Sequence, residues 1–288
     1  MHTIMRINNK RLFLYFVPIS IIMLFIYFVP IVNTVYSAFF DTTGSYAFIG
    51  LGNFEKIKSL ILPTIWRTLV WTMGSILPAA LLGLITALIF MKEFKAKKLL
   101  MSLCILPYTI PLIIVATAWT LMYQPDFGLI NVFLLKVGLI DKPIMFLSTD
   151  YAMASVIVAR IWRAMPFAFI TYYAALRSIP IELYEAGDVD GTNAVQRLFY
   201  ITLPQLASIT ATTLIILTVW TFLVFDIIFA MTGGGPVDAT KIITIQIYRE
   251  LFSMNDMGTA SAFSLIAIVI LIILTSIYWV IFKKGEVE

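Results

Sequence analysis

Long apolar stretches without charged residues recur along the chain. Each is long enough to cross a bilayer, because a membrane-spanning helix needs about 20 predominantly apolar residues. One further apolar stretch carries Arg160 and Arg163 as its only charges. The pattern therefore predicts six transmembrane helices, at about residues 12–40, 66–91, 99–123, 151–176, 205–231 and 257–282.

Prolines fall inside several of these predicted spans, with Pro107 and Pro111 in the third and Pro166 in the fourth. Proline removes a backbone donor and kinks a helix, and neighbouring helices in a membrane can satisfy the freed carbonyls. Two interpretations stay open here. The kinks either serve ordinary helix packing or open a path between helices.

Six spans predict an all-α integral membrane protein with one transmembrane domain over residues 12–282 and tails at 1–11 and 283–288. An even number of crossings leaves both termini on the same side. That side carries eleven Lys and Arg residues, including a cluster over 92–98, and the other side carries seven. Because positive residues favour the cytoplasmic side, we expect both termini to be cytoplasmic.

Composition narrows the function classes. Hydrophobic residues make up 61% of the 288 residues and charged residues 12%, with a mean hydropathy of +0.96, whereas soluble domains are about half apolar. These values exclude a soluble enzyme, a disordered tail and a secreted disulfide scaffold, and they predict a multi-pass protein of the cell membrane, surrounded by lipid. Cys104 and His2 are the single cysteine and histidine of the chain, so we expect no metal site. The chain has no basic patch with interleaved aromatic residues, so we expect no nucleic-acid binding.

The connection between the fourth and fifth spans, residues 177–204, is larger than the other loops on its side. Pro180 suits the start of a helix, and Gly191 tolerates the left-handed conformation that would end it. Asn193, with Gln196 three residues later, is typical of a capping box for a second short helix. The sequence therefore predicts two short helices with a sharp bend, lying at the membrane surface.

The first of these helices is acidic. An amphipathic helix that lies on lipid favours Lys and Arg on its polar face, and anionic headgroups would repel the carboxylates found here. A protein partner with basic residues fits the charge better, although lipid contact stays open as the alternative. The acidic residues are Glu182, Glu185, Asp188 and Asp190.

The same loop resembles the EAA loop of the permease subunits of ATP-binding cassette (ABC) importers. In that family Glu-Ala-Ala is followed after three residues by Gly, and after nine more by Ile-x-Leu-Pro. Gly187 stands here in the position of the second alanine. The residues that the resemblance assigns to coupling with an ATPase are Glu185, Ala186, Gly187, Asp188, Asp190, Gly191, Ile201, Leu203 and Pro204.

Other segments extend the resemblance along nearly the whole chain. They are similar to carbohydrate-type permeases at 48–54, 106–107, 127–131 and 232–236. The last segment is typical of the subunit class that the first maltose and glycerol-phosphate permeases represent. The resemblance thus implies the type I ABC importer permease fold and one half of a heterodimeric channel. Arg67 departs from the pattern, because the family commonly has Asn there.

The resemblance also implies partners. Two ATP-binding subunits would dock on residues 180–204, with Glu185 pairing with a basic group of the ATPase. A second permease subunit would complete the pathway, and an extracellular solute-binding protein would deliver a carbohydrate such as an oligosaccharide. The chain lacks a Gly-x-x-x-x-Gly-Lys-Ser/Thr motif, so we expect no enzyme activity and no cofactor on this chain, with ATP and Mg²⁺ on the partner ATPase. A phosphorylated or acidic sugar, such as glycerol phosphate or uronate, is the alternative solute.

Arg160, Arg163 and Asp226 are charged residues within predicted spans. Such charges are costly in lipid and normally face a partner or a water-filled cavity. One interpretation pairs Arg160 with Asp226 inside the protein. The other directs an arginine at the transport pathway, where it would meet an anionic or hydroxyl-rich solute. Trp119 and Tyr123 either offer faces to sugar rings or serve as packing residues.

Two other function classes remain for comparison. A secondary transporter should show inverted repeats with broken helices, or an acidic proton relay, and the sequence has neither a convincing repeat nor a series of embedded acids. An intramembrane enzyme should carry a motif such as His-Glu-x-x-His or Gly-x-Ser-x-Gly, and neither occurs. Copurification with an ATPase and a second six-span subunit separates an ABC permease from a secondary transporter.

Overall fold

The computed structural model describes the backbone of residues 9–283 and the side chains of residues 16–281. Apart from 9–11 and 283, the two tails expected from the sequence lie outside the described residues. The chain divides into two compact units. One comprises residues up to 60 together with 247–267, and the other comprises 61–246 together with the residues from 268 onward.

The described residues are almost entirely helical. Three π-helical turns, at Leu24–Phe28, Leu198–Thr202 and Arg249–Ser253, interrupt the α-helices, and an isolated bridge joins Phe40 to Phe48. The α-helices are α1 (Asn9–Met23), α2 (Val29–Phe39), α3 (Gly52–Met91), α4 (Lys97–Thr109), α5 (Leu112–Met122), α6 (Leu129–Lys136), α7 (Ala152–Ser178), α8 (Ile181–Val189), α9 (Ala194–Arg197), α10 (Leu203–Gln205), α11 (Ala207–Phe222), α12 (Asp226–Thr232), α13 (Ile243–Tyr248) and α14 (Met257–Lys283).

Four continuous helical stretches are long and apolar enough to cross a membrane, namely Phe16–Phe39, Gly52–Met91, Ala152–Ser178 and Met257–Ile281. Two bent pairs bring the number to six if each pair is one span. In the first pair α4 and α5 meet at 102°, and in the second the segment Ala194–Gln205 meets α11 at 65°. Counted in this way, the described residues contain up to six spans, the number that the sequence predicted.

The break between α4 and α5 falls where the sequence places its two closely spaced prolines. Helix α4 ends at Thr109, and Ile110 and Pro111 are extended, with ψ of 131° and 141°. The residue before a proline is disfavoured in the helical region, and proline itself lacks the N–H that would continue the helix. Pro166, in contrast, lies within the uninterrupted helix α7.

In the first unit, Asn53 holds the end of α2. Its buried side-chain amide donates to the carbonyls of Ser37, Ala38 and Phe40 at 3.2, 3.1 and 2.9 Å. The last carbonyls of a helix have no partner within it, so this amide satisfies them. Gly258 lies so near that a Cβ there would be 2.6 Å from the Asn53 nitrogen. Asn53, which lies in the segment 48–54 that resembles carbohydrate-type permeases, is therefore a structural cap.

In the second unit, close contacts connect α3, α7 and α11. A Cβ on Gly83 of α3 would lie 2.5 Å from the Cβ of Ala168 in α7, so small residues let these two helices touch. Trp71 of α3 is fully buried, and its Nε1 donates to the carbonyl of Thr221 in α11 at 2.9 Å. These contacts fix the helices that line the cavity described below.

Candidate functional site

The loop 177–204 forms two short helices around a bend. Helix α8 begins after Pro180 and ends at Val189, and Gly191 follows with φ of +75°. Glycine adopts this left-handed conformation without the steric cost that a Cβ brings. The bend at Gly191 predicted from the sequence is thereby confirmed.

Asn193 and Gln196 form a capping box at the start of α9. The Oδ1 atom of Asn193 accepts hydrogen bonds from the N–H groups of Val195 and Gln196, both at 3.0 Å. In return, Oε1 of Gln196 accepts from the N–H of Asn193 at 2.9 Å. This exchange satisfies backbone donors that the first helical turn leaves without partners, and it confirms the predicted cap.

Gly187 is the point where the beginning and the end of the EAA-type motif touch. It is buried, and a Cβ there would lie 2.9 Å from both Cδ1 of Ile201 and Oγ1 of Thr192. The Thr192 hydroxyl also donates to the Gly187 carbonyl at 2.8 Å, and the hydroxyls of Tyr184 and Thr202 lie 3.1 Å apart. A small residue at 187 therefore lets α8 pack against the segment that precedes α11.

The acidic residues of this loop have different surroundings. Asp188 forms an ion pair with Arg197, so its charge is compensated within the loop. The side chains of Glu182, Glu185 and Asp190 are exposed, and among the described residues none of the three joins an ion pair. The loop thus carries uncompensated negative charge on its surface.

Exposed apolar side chains accompany these acids. Val189 is 89% exposed, Tyr200 77% and Phe199 59%. Exposed apolar surface beside polar groups is typical of an interaction site. Of the remaining motif residues, Ala186 and Pro204 are exposed, and Ile201 and Leu203 are partly buried.

A cavity of about 490 Å³ lies among the helices of the second unit. Its volume is within the range of about 300–1,000 Å³ that is common for ligand pockets. The structure brings Arg160, Arg163 and Asp226 together in this cavity. The sequence predicted that each lies within a span, but it did not show that they are neighbours. The cavity is lined by Tyr108, Leu112, Arg160, Arg163, Val219, Trp220, Leu223, Val224, Phe225 and Asp226.

Arg160 is held by a hydroxyl rather than by a carboxylate. Its side chain is 5% exposed, and Nε and Nη2 both donate to Oγ1 of Thr221, at 3.1 and 2.9 Å. Among the described residues no ion pair joins it to Asp226, which is an exposed residue at the start of α12. The structure does not form the internal Arg160–Asp226 pair, and Arg160 instead donates to Thr221 on the facing helix α11.

Arg163, one turn further along α7, contacts the break between α4 and α5. Its Nε donates to the carbonyl of Ile110 at 3.2 Å, and its Cζ lies 4.7 Å from the ring centre of Tyr108, a cation–π distance. The Ile110 carbonyl thus accepts a side-chain hydrogen bond at the point where the backbone hydrogen bonds of the helix are interrupted before Pro111. The broken span therefore takes part in positioning the arginine.

Trp119 and Tyr123 are not among the residues that line the arginine cavity. Their rings lie 5.4 Å apart, and the Tyr123 hydroxyl donates to the carbonyl of Ser155 at 3.1 Å. Tyr123 instead borders a second cavity of about 440 Å³ that includes Phe146 and Pro236.

Sequence reasoning missed the aromatic residues that do line the arginine cavity. Tyr108 and Trp220 both lie near Phe167, with ring centres 6.2 and 4.8 Å from it. Nothing in the local sequence singles them out, since aromatic residues are frequent throughout the spans. Within the residues that the structure describes, no group of three or more His, Cys, Asp or Glu could hold a metal ion.

Comparisons with known proteins agree with the loop and the fold. The chain is 32% identical over 283 residues to a probable ABC transporter permease protein of Pyrococcus horikoshii, covering 95% of this chain and 96% of the relative. It is 33% identical over 234 residues to the trehalose/maltose transport system permease protein MalF of Thermococcus litoralis, covering 80% and 78%. Both relatives are permease subunits, as the EAA-type loop indicated.

The fold matches a chain in the crystal structure of a bacterial ABC transporter involved in the import of the acidic polysaccharide alginate. The TM-score is 0.83 with 24% identity, and the match covers 96% of both chains. This likeness confirms the fold class. The family model for the binding-protein-dependent transport system inner membrane component matches residues 79–284. The chain therefore belongs to this family of multi-pass ABC importer permeases.

Proposed function

We propose that this chain forms half of the translocation pathway of an ATP-driven importer for a carbohydrate that a solute-binding protein delivers. A second, related permease subunit forms the other half. Two ATP-binding subunits hold ATP and Mg²⁺, and one of them docks on residues 180–204 of this chain. This chain itself performs no hydrolysis. The termini and the docking loop are cytoplasmic in this arrangement.

The observation that carries the proposal is the geometry of the loop 177–204. The contact between Gly187 and Ile201 joins α8 to the segment that leads into α11, so a force on α8 is transmitted to a predicted span. The exposed carboxylate of Glu185 and the exposed Val189 beside it suit a socket that is basic and partly apolar. A helix that is both exposed and mechanically connected to a span is what a docked ATPase requires.

A carbohydrate is supported by the cavity and by the relatives. Tyr108 and Trp220 line the cavity and offer aromatic faces, against which the apolar face of a sugar ring can pack. The arginines and the neighbouring hydroxyl supply hydrogen-bonding groups in the same space. The Thermococcus litoralis relative is a permease of a trehalose/maltose transport system.

An exposed apolar helix supports the presence of a second permease subunit. No residue of the most apolar window within Phe16–Phe39 is buried inside this chain. In a membrane, such a helix contacts lipid or the helices of another subunit. The proposed complex provides both.

The test is the variant Glu185→Ala in the complete transporter. We expect the complex to assemble in the membrane and to hydrolyse ATP while solute uptake falls sharply, because the variant lacks the carboxylate that is proposed to pair with the ATPase. Asp141→Ala removes an exposed acid outside the loop and should retain uptake. Normal uptake by Glu185→Ala at wild-type abundance would contradict the proposal.

Copurification separates this function from a secondary transporter. An ATPase and a second multi-span permease should copurify with a tagged form of this chain in detergent or nanodiscs. If a preparation that contains this chain alone took up solute in response to an ion gradient, the result would favour the secondary transporter.

A further inference from the structure

We propose that the arginine cavity selects a solute that carries a carboxylate or phosphate group, and that Arg163 binds this group. The inference rests on the proposed function, because it names the solute class of the same pathway. It is carried by the charge balance of the cavity and by the different ways in which its two arginines are held.

The charges that line the cavity do not balance. Arg160 and Arg163 contribute two guanidinium groups, which stay protonated at neutral pH, and Asp226 contributes the one carboxylate among the lining residues. Neither arginine forms an ion pair with Asp226 among the described residues. One carboxylate cannot neutralise two guanidiniums, so the cavity stays cationic even when Asp226 is ionised. A charge within a membrane span is costly and normally meets a counter-charge.

Arg160 and Arg163 are suited to different roles. Arg160 is almost fully buried, and two of its N–H groups are taken by the neutral hydroxyl of Thr221. Arg160 therefore supplies a fixed positive charge to the cavity that it lines. Arg163 is less buried than Arg160. Of its donor nitrogens, Nε alone forms a hydrogen bond to a described residue, the carbonyl of Ile110.

The two terminal nitrogens of Arg163 are therefore available to a ligand. The fork of a guanidinium matches the two oxygens of a carboxylate or phosphate, and this bidentate pairing is stronger than a hydrogen bond between neutral groups. The cation–π contact with Tyr108, at 4.7 Å from the Arg163 Cζ to the ring centre, limits how the guanidinium can turn. A neutral sugar cannot compensate the charge of the cavity, although its hydroxyls can accept single hydrogen bonds.

The test measures equilibrium binding to the complete transporter in nanodiscs of phosphatidylcholine, a zwitterionic lipid that adds no net headgroup charge. The probes are trigalacturonate for a carboxylate, glycerol 3-phosphate for a phosphate and maltotriose as the neutral sugar. Dissociation constants are measured by ligand-observed NMR at matched ionic strength. We expect at least one acidic probe to bind at least tenfold more tightly than maltotriose, and the preferred probe distinguishes carboxylate from phosphate.

Variants locate the effect. Arg163→Gln should reduce the preference for the acidic probe to within twofold of maltotriose, and Arg163→Lys should retain part of it because the charge remains. Lys142→Gln removes an exposed positive charge outside the cavity and should bind as the wild type does.

Three results would overturn the inference: maltotriose binding as tightly as both acidic probes, an acidic preference that survives Arg163→Gln, or no binding of either acidic probe. The proposed function is judged separately, by copurification and ATP-driven uptake. Import of maltotriose alone would therefore overturn the inference while the proposed function stands.

Discussion

The acidic loop and the arginine cavity are built in opposite ways. The loop is held by contacts within about twenty residues, from Tyr184 to Thr202, and its acidic side chains are exposed. The cavity is assembled from residues between Tyr108 and Asp226 on different helices, and its central guanidinium is buried. The loop depends on local chemistry, whereas the cavity depends on the packing of distant helices.

The difference reflects what a docking surface and a membrane cavity each require of the structure. A surface that docks another protein must keep its shape while exposed, and caps, a glycine bend and a close internal contact achieve this locally. A cavity within a membrane must hold charged groups away from lipid, and this requires partners from neighbouring helices. Variants that loosen each region should therefore have separable effects.

The largest effect is expected from Gly187→Val in the loop. A Cβ at this position meets the ends of two side chains at 2.9 Å, and branched methyl groups add overlap that typically costs about 1–3 kcal/mol. We expect ATPase copurification to be lost while the membrane part remains folded. Gly187→Ala should retain association, because the tip of Ile201 and the Thr192 hydroxyl can each shift by a few tenths of an ångström. Full association of the valine variant would show that the contact is not needed for docking.

A smaller effect is expected from Thr221→Val in the cavity. This change removes the acceptor of two Arg160 N–H groups and leaves them buried, at a cost of about 1–3 kcal/mol. The melting temperature of the complex in nanodiscs should fall, while ATPase copurification remains. Thr218→Val is the matched control, since the buried Thr218 hydroxyl has no hydrogen-bond partner in the structure. Equal melting temperatures for the two variants would refute the role assigned to Thr221.

The smallest effect is expected from Asn193→Ala. Loss of an N-cap side chain typically costs about 1 kcal/mol of helix stability. The amides of Val195 and Gln196 should exchange faster with deuterium, because they lose the Oδ1 acceptor. Asn193→Asp keeps an acceptor oxygen and should preserve the protection. Unchanged exchange in the alanine variant would mean that other contacts hold the start of α9.

The loop could be predicted from the sequence because each of its features is local. The bend at Gly191 and the capping box of Asn193 and Gln196 follow from residues within a few positions of one another. The prolines at 107 and 111 predicted kinks, and the structure forms a 102° bend there, much sharper than a kink in a continuous helix. The angle depends on packing that the local sequence does not encode.

The partner of Arg160 could not be predicted in the same way. Opposite charge suggested Asp226, but the separation along the chain does not reveal that Thr221 faces the guanidinium across the helix contact. The aromatic residues of the cavity were missed for the same reason, because Tyr108 and Trp220 become neighbours of the arginines only when α4, α7 and α11 pack. Polar partners within a membrane are chosen by helix geometry as well as by charge.

The most direct test of the central claim is site-specific photocrosslinking from Val189, the most exposed of the apolar loop residues described above. A photoreactive amino acid replaces Val189 in the complete transporter within cells, and a matched probe replaces the exposed Phe127 in the loop between α5 and α6. We predict an adduct with an ATP-binding subunit from position 189 and none from position 127. An adduct with lipid alone from position 189, in cells where the transporter is assembled and active, would contradict the account.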